Sequence, residues 1–122
     1  VVIFEDAIFG KPKDRAEAVA TLQRITGNRH RVVTGVCLLS KANELAFADA
    51  ADVEVAPMNL EEINYYVDNF NPYDKAGSYG IQEWVGLCKV HRIAGAYSTV
   101  MGLPMAALYK ELTKFWSLSD KV

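Results

Sequence analysis

Three polar stretches hold the side chains best suited to chemistry, and each borders an apolar run. The first is Gly10-Lys11-Pro12. Its lysine is a point charge suited to a phosphate oxygen, on a loop whose glycine permits close approach and whose proline limits freedom. Taken alone, the tripeptide reads more simply as a solvated turn. The second is the nonapeptide Asp74-Lys75-Ala76-Gly77-Ser78-Tyr79-Gly80-Ile81-Gln82. Small residues leave room for a ligand, Lys75 offers a cation, and the Gln82 amide offers the paired donor and acceptor that can read a base edge. Its plainer reading is a glycine-rich connection carrying an exposed ion pair. The third runs from Gly95 to Pro104. Ser98 and Thr99 could meet a hydroxyl or a phosphate, although a strand-to-helix turn shaped for packing explains most of its residues.

On either side of these loops, the residue pattern predicts the elements that hold them. Val1 to Phe4 reads as a buried strand that turns at Glu5-Asp6 and returns through Ala7 to Phe9. A first helix starts at Asp14, with Glu17 at capping-box spacing and Val19, Leu22 and Ile25 on one face; Gly27-Asn28 ends it. Arg31 to Leu39 reads as a central strand and Leu45 to Val55 as its antiparallel return, with Ala51, Val53 and Val55 on one face. A second helix starts at Asn59, again with Glu three residues on. It carries Leu60, Ile63, Val67 and Phe70 as its apolar stripe and stops before Pro72. Tyr65 and Tyr66 divide between its surface and the core. Val85 to Ile93 reads as a further strand. The last helix follows Pro104, with Met105, Leu108, Leu112 and Phe115 along one face, and residues 117–122 read as a frayed, disordered tail. The expected architecture is an α/β or α+β layered domain with a partly antiparallel sheet.

The whole chain has 122 residues, enough for one compact domain. Its net charge of −2 gives no broad attraction to nucleic acid or to anionic membranes, so an anionic ligand must meet a local cluster of cations. Cys37 and Cys88 lie in apolar runs without metal-type spacing and read as buried, reduced thiols of a cytoplasmic protein. His30 and His91, each beside arginine and without a ligand-spaced partner, read as surface histidines. Asp14, Glu17 and Glu62 are accounted for as helix caps, and Asp52 and Glu54 as strand surface. The chain opens with Val1 inside a strand, which suggests that sequence precedes it.

The order Gly10-Lys11-Pro12, Thr34-Gly35-Val36, Asp74 to Gln82 and Met101-Gly102-Leu103-Pro104 resembles the Maf family of septum-formation inhibitors, from Val1 to about Leu112. The resemblance implies an α/β fold shared with inosine triphosphate pyrophosphatases: a mixed sheet flanked by helices, with a central cleft. On this view residues 1–122 are the C-terminal two-thirds of one such domain, here lacking its N-terminal part. It implies hydrolysis of nucleoside triphosphates, of the dTTP/UTP type, to a monophosphate and pyrophosphate with a divalent metal, Mg2+ or Mn2+. Carried over by motif, Lys11 and Lys75 hold phosphates and Gln82 bears on base selection, a position that differs in the 7-methyl-GTP subgroup. Asp74 either orients Lys75 or organises metal-bound water; the metal ligands themselves stay unassigned.

The family's Ser-x-Arg-Arg loop, a metal-associated Glu and the Asp expected as general base all precede the position equivalent to Val1, so the chain alone is expected to hydrolyse nucleotides poorly. After Gln82 the family usually continues with Gly, whereas this chain has Glu83-Trp84, a bulky neighbour for the base pocket. The expected partner is a nucleoside triphosphate, with neither nucleic acid nor membrane, and a homodimer is compatible with the reading. Broader or 7-methyl-GTP-directed hydrolysis and a non-catalytic nucleotide-binding fragment are the alternatives.

Overall fold

The computed structural model describes residues 1–120, with side chains through residue 116. Five strands form one sheet in the order β2-β1-β3-β4-β5: β1 (Val2–Phe4), β2 (Ala7–Phe9), β3 (Arg29–Leu39), β4 (Glu44–Val55) and β5 (Val90–Ala94). Every neighbouring pair is antiparallel. The sheet is built on the long β3–β4 hairpin, whose register pairs Arg29 with Glu54 and Leu39 with Glu44.

Helices α1 (Arg15–Ile25) and α2 (Leu60–Phe70) begin where their caps place them. Asp14 accepts from the Glu17 amide at 2.8 Å. Asn59 and Glu62 make a complete capping box: Asn59 accepts the Glu62 N–H at 2.8 Å and Glu62 accepts the Asn59 N–H at 3.1 Å. Left-handed Asn71, followed by Pro72, ends α2. Ala18, Leu22 and Ile25 of α1 and Ile63, Tyr66 and Val67 of α2 bury against Val2, Val32, Val53 and Val55 of the sheet. Arg15 joins the two helices outside this core, its Nε donating to Asp68 at 2.7 Å. Leu60 and Tyr65 lie at the edge of the stripe and stay about half exposed (52% each).

Four expectations change. The apolar run read as a strand from Val85 begins instead as helix α3 (Trp84–Cys88), and only Val90–Ala94 joins the sheet. Short apolar runs have no periodicity of their own, so tertiary contacts choose between strand and helix. His30 is buried, not superficial, because strand alternation turns Arg29 and Arg31 outward and His30 inward. Cys37 and Cys88 are exposed, Cys37 on the outward face of β3 and Cys88 at the end of α3. The last helix, α5 (Met105–Asp120), follows α4 (Tyr97–Met101) and runs through the first four residues of the segment read as a tail; residues 121–122 lie outside the described residues. Of the α5 stripe, Phe115 is buried whereas Met105 and Leu112 are exposed.

Candidate functional site

The nonapeptide is not a loose loop. Two 3-10 turns, Pro72–Asp74 and Ala76–Ser78, fold it into a compact corner beneath α1 and beside β1. Gly77 has a φ of 73°, and a Cβ there would meet Val2 Cγ2 at 2.7 Å, so the corner can seat against β1 only with glycine at this place. The Gly77 N–H donates to the Gly10 carbonyl at 3.2 Å, which clips the Gly10-Lys11-Pro12 loop to the same corner.

Between this corner and α4 lies a cleft of about 250 Å3. Val1, Val2, Val32 and Thr34 form its floor; Asp74, Lys75, Tyr79, Gly80 and Gln82 form one wall; Val100, Met101 and Gly102 form the other. A polar ladder holds the far wall in place. Thr34 donates to the Thr99 carbonyl at 2.9 Å, and the buried Thr99 hydroxyl donates to Asp49 at 2.6 Å. Thr34 and Asp49 face each other across β3 and β4, so one register pair carries both bonds. Ser98 instead accepts the Met105 N–H at 3.0 Å, at the start of α5. Ser98 and Thr99 therefore follow the packing reading of their segment.

The structure brings together Asp74, Lys75 and Gln82 from the sequence-derived set. Lys11 is exposed and does not line the cleft, but its charge is close enough to help hold the Asp74 carboxyl below the usual range. The larger cause of that shift is the hydrogen bond from Lys75, whose Nζ lies 3.0 Å from Asp74 Oδ1. The same bond raises Lys75, so its ammonium stays charged at any physiological pH. The Asp74 carboxylate is thus engaged by the Lys75 ammonium. A carboxylate shifted downward by a cation is a weak proton acceptor.

The sequence reading missed three groups around this wall. Glu83 lies 3.6 Å from the Lys75 ammonium and accepts the Tyr66 hydroxyl at 2.8 Å. Tyr66, fully buried on α2, accepts the Gly80 N–H at 3.0 Å, and burial raises its hydroxyl well above the usual phenol range. His30 shares a 2.7 Å hydrogen bond with the Tyr79 hydroxyl beneath the cleft floor, and burial lowers its pKa to about 4, with the Asp52 charge opposing. The inward alternation of His30 was the one available signal; the Tyr66 and Glu83 contacts join segments 17 residues apart and leave none. Trp84, expected beside the base pocket, turns the other way and packs against Tyr65 and Tyr66, with ring centroids 6.0 and 6.5 Å apart, and under Lys89.

The layered α/β domain thus sets a lysine-bearing glycine corner against one cleft. The Maf-like protein model matches residues 1–115, and the chain belongs to that family. It is 49% identical over 115 residues to a dTTP/UTP pyrophosphatase of Porphyromonas gingivalis, 47% over 110 residues to one of Parabacteroides distasonis, and 46% over 112 residues to one of Bacteroides fragilis. These alignments cover 94%, 90% and 92% of this chain and 58%, 57% and 58% of those relatives. The chain thus spans somewhat less than three-fifths of the length of the curated relatives it matches.

Proposed function

We propose that this chain forms the nucleotide-holding part of a nucleoside triphosphate pyrophosphatase directed at dTTP and UTP, cleaving between the α- and β-phosphates to give the monophosphate and pyrophosphate. The observation that carries the reading is the placement of Lys75 and Gln82 on one wall of one cleft, in a chain similar to proteins named for that activity. Lys75, kept charged by Asp74, is placed to neutralise phosphate oxygens, and Lys11 on the adjoining loop adds a second cation at the rim. The Gln82 side chain is exposed and its amide can pair with the donor-acceptor edge of a pyrimidine. The cleft is smaller than the roughly 300–1,000 Å3 that encloses most ligands, so the triphosphate would extend over its lip towards Lys11.

The resemblance implies a divalent ion, Mg2+ or Mn2+. Among the described residues no three carboxylate, imidazole or thiolate ligands come together, and Asp74 is engaged by Lys75. The described residues do not by themselves fit the ion. The free, unbridged thiols of Cys37 and Cys88 suit a cytoplasmic place of action. No described helix is long and apolar enough to cross a membrane.

Titration of the chain with dTTP, UTP, GTP and 7-methyl-GTP, with pyrophosphate release followed in parallel, tests the reading. The pyrimidine triphosphates should bind most tightly. Gln82→Ala should erase that preference by about tenfold, the worth of one or two direct hydrogen bonds. An equal loss for all nucleotides would make Gln82 structural, and the absence of any triphosphate binding would overturn the proposal.

A further inference from the structure

Lys75 is unusually constrained for a lysine at the mouth of a cleft. Its stem lies across Gly80, where a Cβ would meet Lys75 Cε at 2.8 Å and Glu83 Oε1 at 2.7 Å. Its ammonium sits between two carboxylates, Asp74 at 3.0 Å and Glu83 at 3.6 Å. These two anchors differ in kind. Asp74 is exposed and adjacent in sequence, so it moves with the lysine. Glu83 is fixed to the core: its Oε1 accepts the hydroxyl of Tyr66, a residue with no exposed surface whose ring stacks on Phe70 at 5.1 Å. The Tyr66 oxygen in turn accepts the Gly80 N–H, and the Gly80 carbonyl accepts the Glu83 N–H at 3.1 Å. The result is a closed circuit from α2 through Gly80 and Glu83 to the ammonium.

We infer that Glu83, anchored by the Tyr66 hydroxyl, is a positioning residue that holds the Lys75 ammonium over the cleft for a phosphate oxygen; the inference rests on the reading of the cleft as a triphosphate site. A free lysine loses most of its rotamer freedom when it binds an anion. One already confined by a core-anchored carboxylate has less to lose. Glu83 also has an opposing effect, because its charge repels the same anion. Donation from Tyr66 and the proximity of Lys75 offset part of that charge, so ordering outweighs repulsion.

Two measurements on the 122-residue chain test this. The first is the 15N–1H signal of the Lys75 ammonium, observed with labelled lysine and assigned by its absence in Lys75→Met. In the unaltered chain it should be distinct and slow to exchange with water; in Glu83→Gln, whose amide can still accept the Tyr66 hydroxyl, it should collapse into the solvent-averaged lysine signals. The second is the affinity for inorganic tripolyphosphate without metal. Glu83→Gln and Tyr66→Phe should each weaken it by about three- to tenfold, the ordering cost of one rotamer-rich side chain. Neither should weaken it further once Lys75 is Met. Thermal melts of each variant check that the fold is retained; because Glu83→Gln leaves the buried hydroxyl satisfied, it decides the matter if Tyr66→Phe unfolds. Tighter binding in Glu83→Gln, an equal loss with and without Lys75, or an unchanged ammonium signal would each overturn the inference. If the ammonium signal responds to Glu83→Gln but the unaltered chain binds no tripolyphosphate, the triphosphate reading falls, and with it this use of Lys75.

Discussion

Acidification should loosen this protein through one buried imidazole. His30 is 2% exposed, shares its Nε2 with the Tyr79 hydroxyl, and leaves Nδ1 without a partner among the described residues. Burial lowers its pKa from 6.5 to about 4, against the opposing pull of Asp52. The sign follows from the depressed value. Below pH 6.5 the unfolded chain takes up a proton that the folded chain refuses, so stability is lost as pH falls and the loss is complete only below about pH 4. With those two values, moving from pH 7 to pH 5 costs about 2 kcal/mol, and the limit at lower pH is about 3 kcal/mol. That is a large share of the roughly 5–15 kcal/mol that holds a small domain folded. Urea unfolding at pH 7 and pH 5, on the unaltered chain and on His30→Gln, isolates the contribution. All other titratable groups are common to both proteins, so only the difference between the two pH dependences belongs to His30. The variant should lose about 2 kcal/mol less over that interval. Parallel losses would refute the argument and imply that water reaches the imidazole in the folded state.

Two glycines should separate stability from ligand binding. At Gly86 a Cβ would collide with the backbone of Ile81, which cannot move away, so Gly86→Ala should lower the thermal midpoint by many degrees or prevent folding. At Gly80 the collision is with the movable ends of Lys75 and Glu83. Gly80→Ala should therefore cost much less than Gly86→Ala in denaturant titration, while weakening tripolyphosphate binding measurably. Asn59→Ala removes half of the capping box on α2 and should cost about 1 kcal/mol in the same titration.

Local chemistry explains what could be read before the structure. Asp14 and Asn59 mark helix starts because a cap is a contact within four residues. The β3–β4 pair was legible because Ala51, Val53 and Val55 alternate with charged residues. The glycine corner reads in sequence as room for a ligand, and in the structure its Lys75 and Gln82 line one cleft. Failures occurred where distant partners decide. Trp84 packs against Tyr65 and Tyr66 of α2, and there α3 forms from residues that could equally have formed a strand. Cys37 looked buried because its neighbours are apolar, yet the hairpin extends beyond what covers it. Glu83 looked like an odd neighbour of the base pocket; its role emerges only with Tyr66, from another helix.

The length of that hairpin has a consequence for how the molecule breathes. β1 pairs with β3 only at Arg31 and Val32, aside from the hydrogen bonds of Val1 with Val33, and β5 meets β4 only from Asp52 onward. From Val36 to Phe47 the two strands have only each other as strand partners among the described residues, whereas the base of the hairpin is part of a five-stranded sheet. A lone two-stranded ribbon is marginal in water. Amide protons should therefore exchange with deuterium in a graded order: fastest near Leu38 and Leu45, slower towards the Thr34–Asp49 rung where Thr99 ties both strands, and slowest at Val53. The rung acts as a firebreak. The tip can unzip and close many times while the cleft, which begins on the other side of Thr34, keeps its shape.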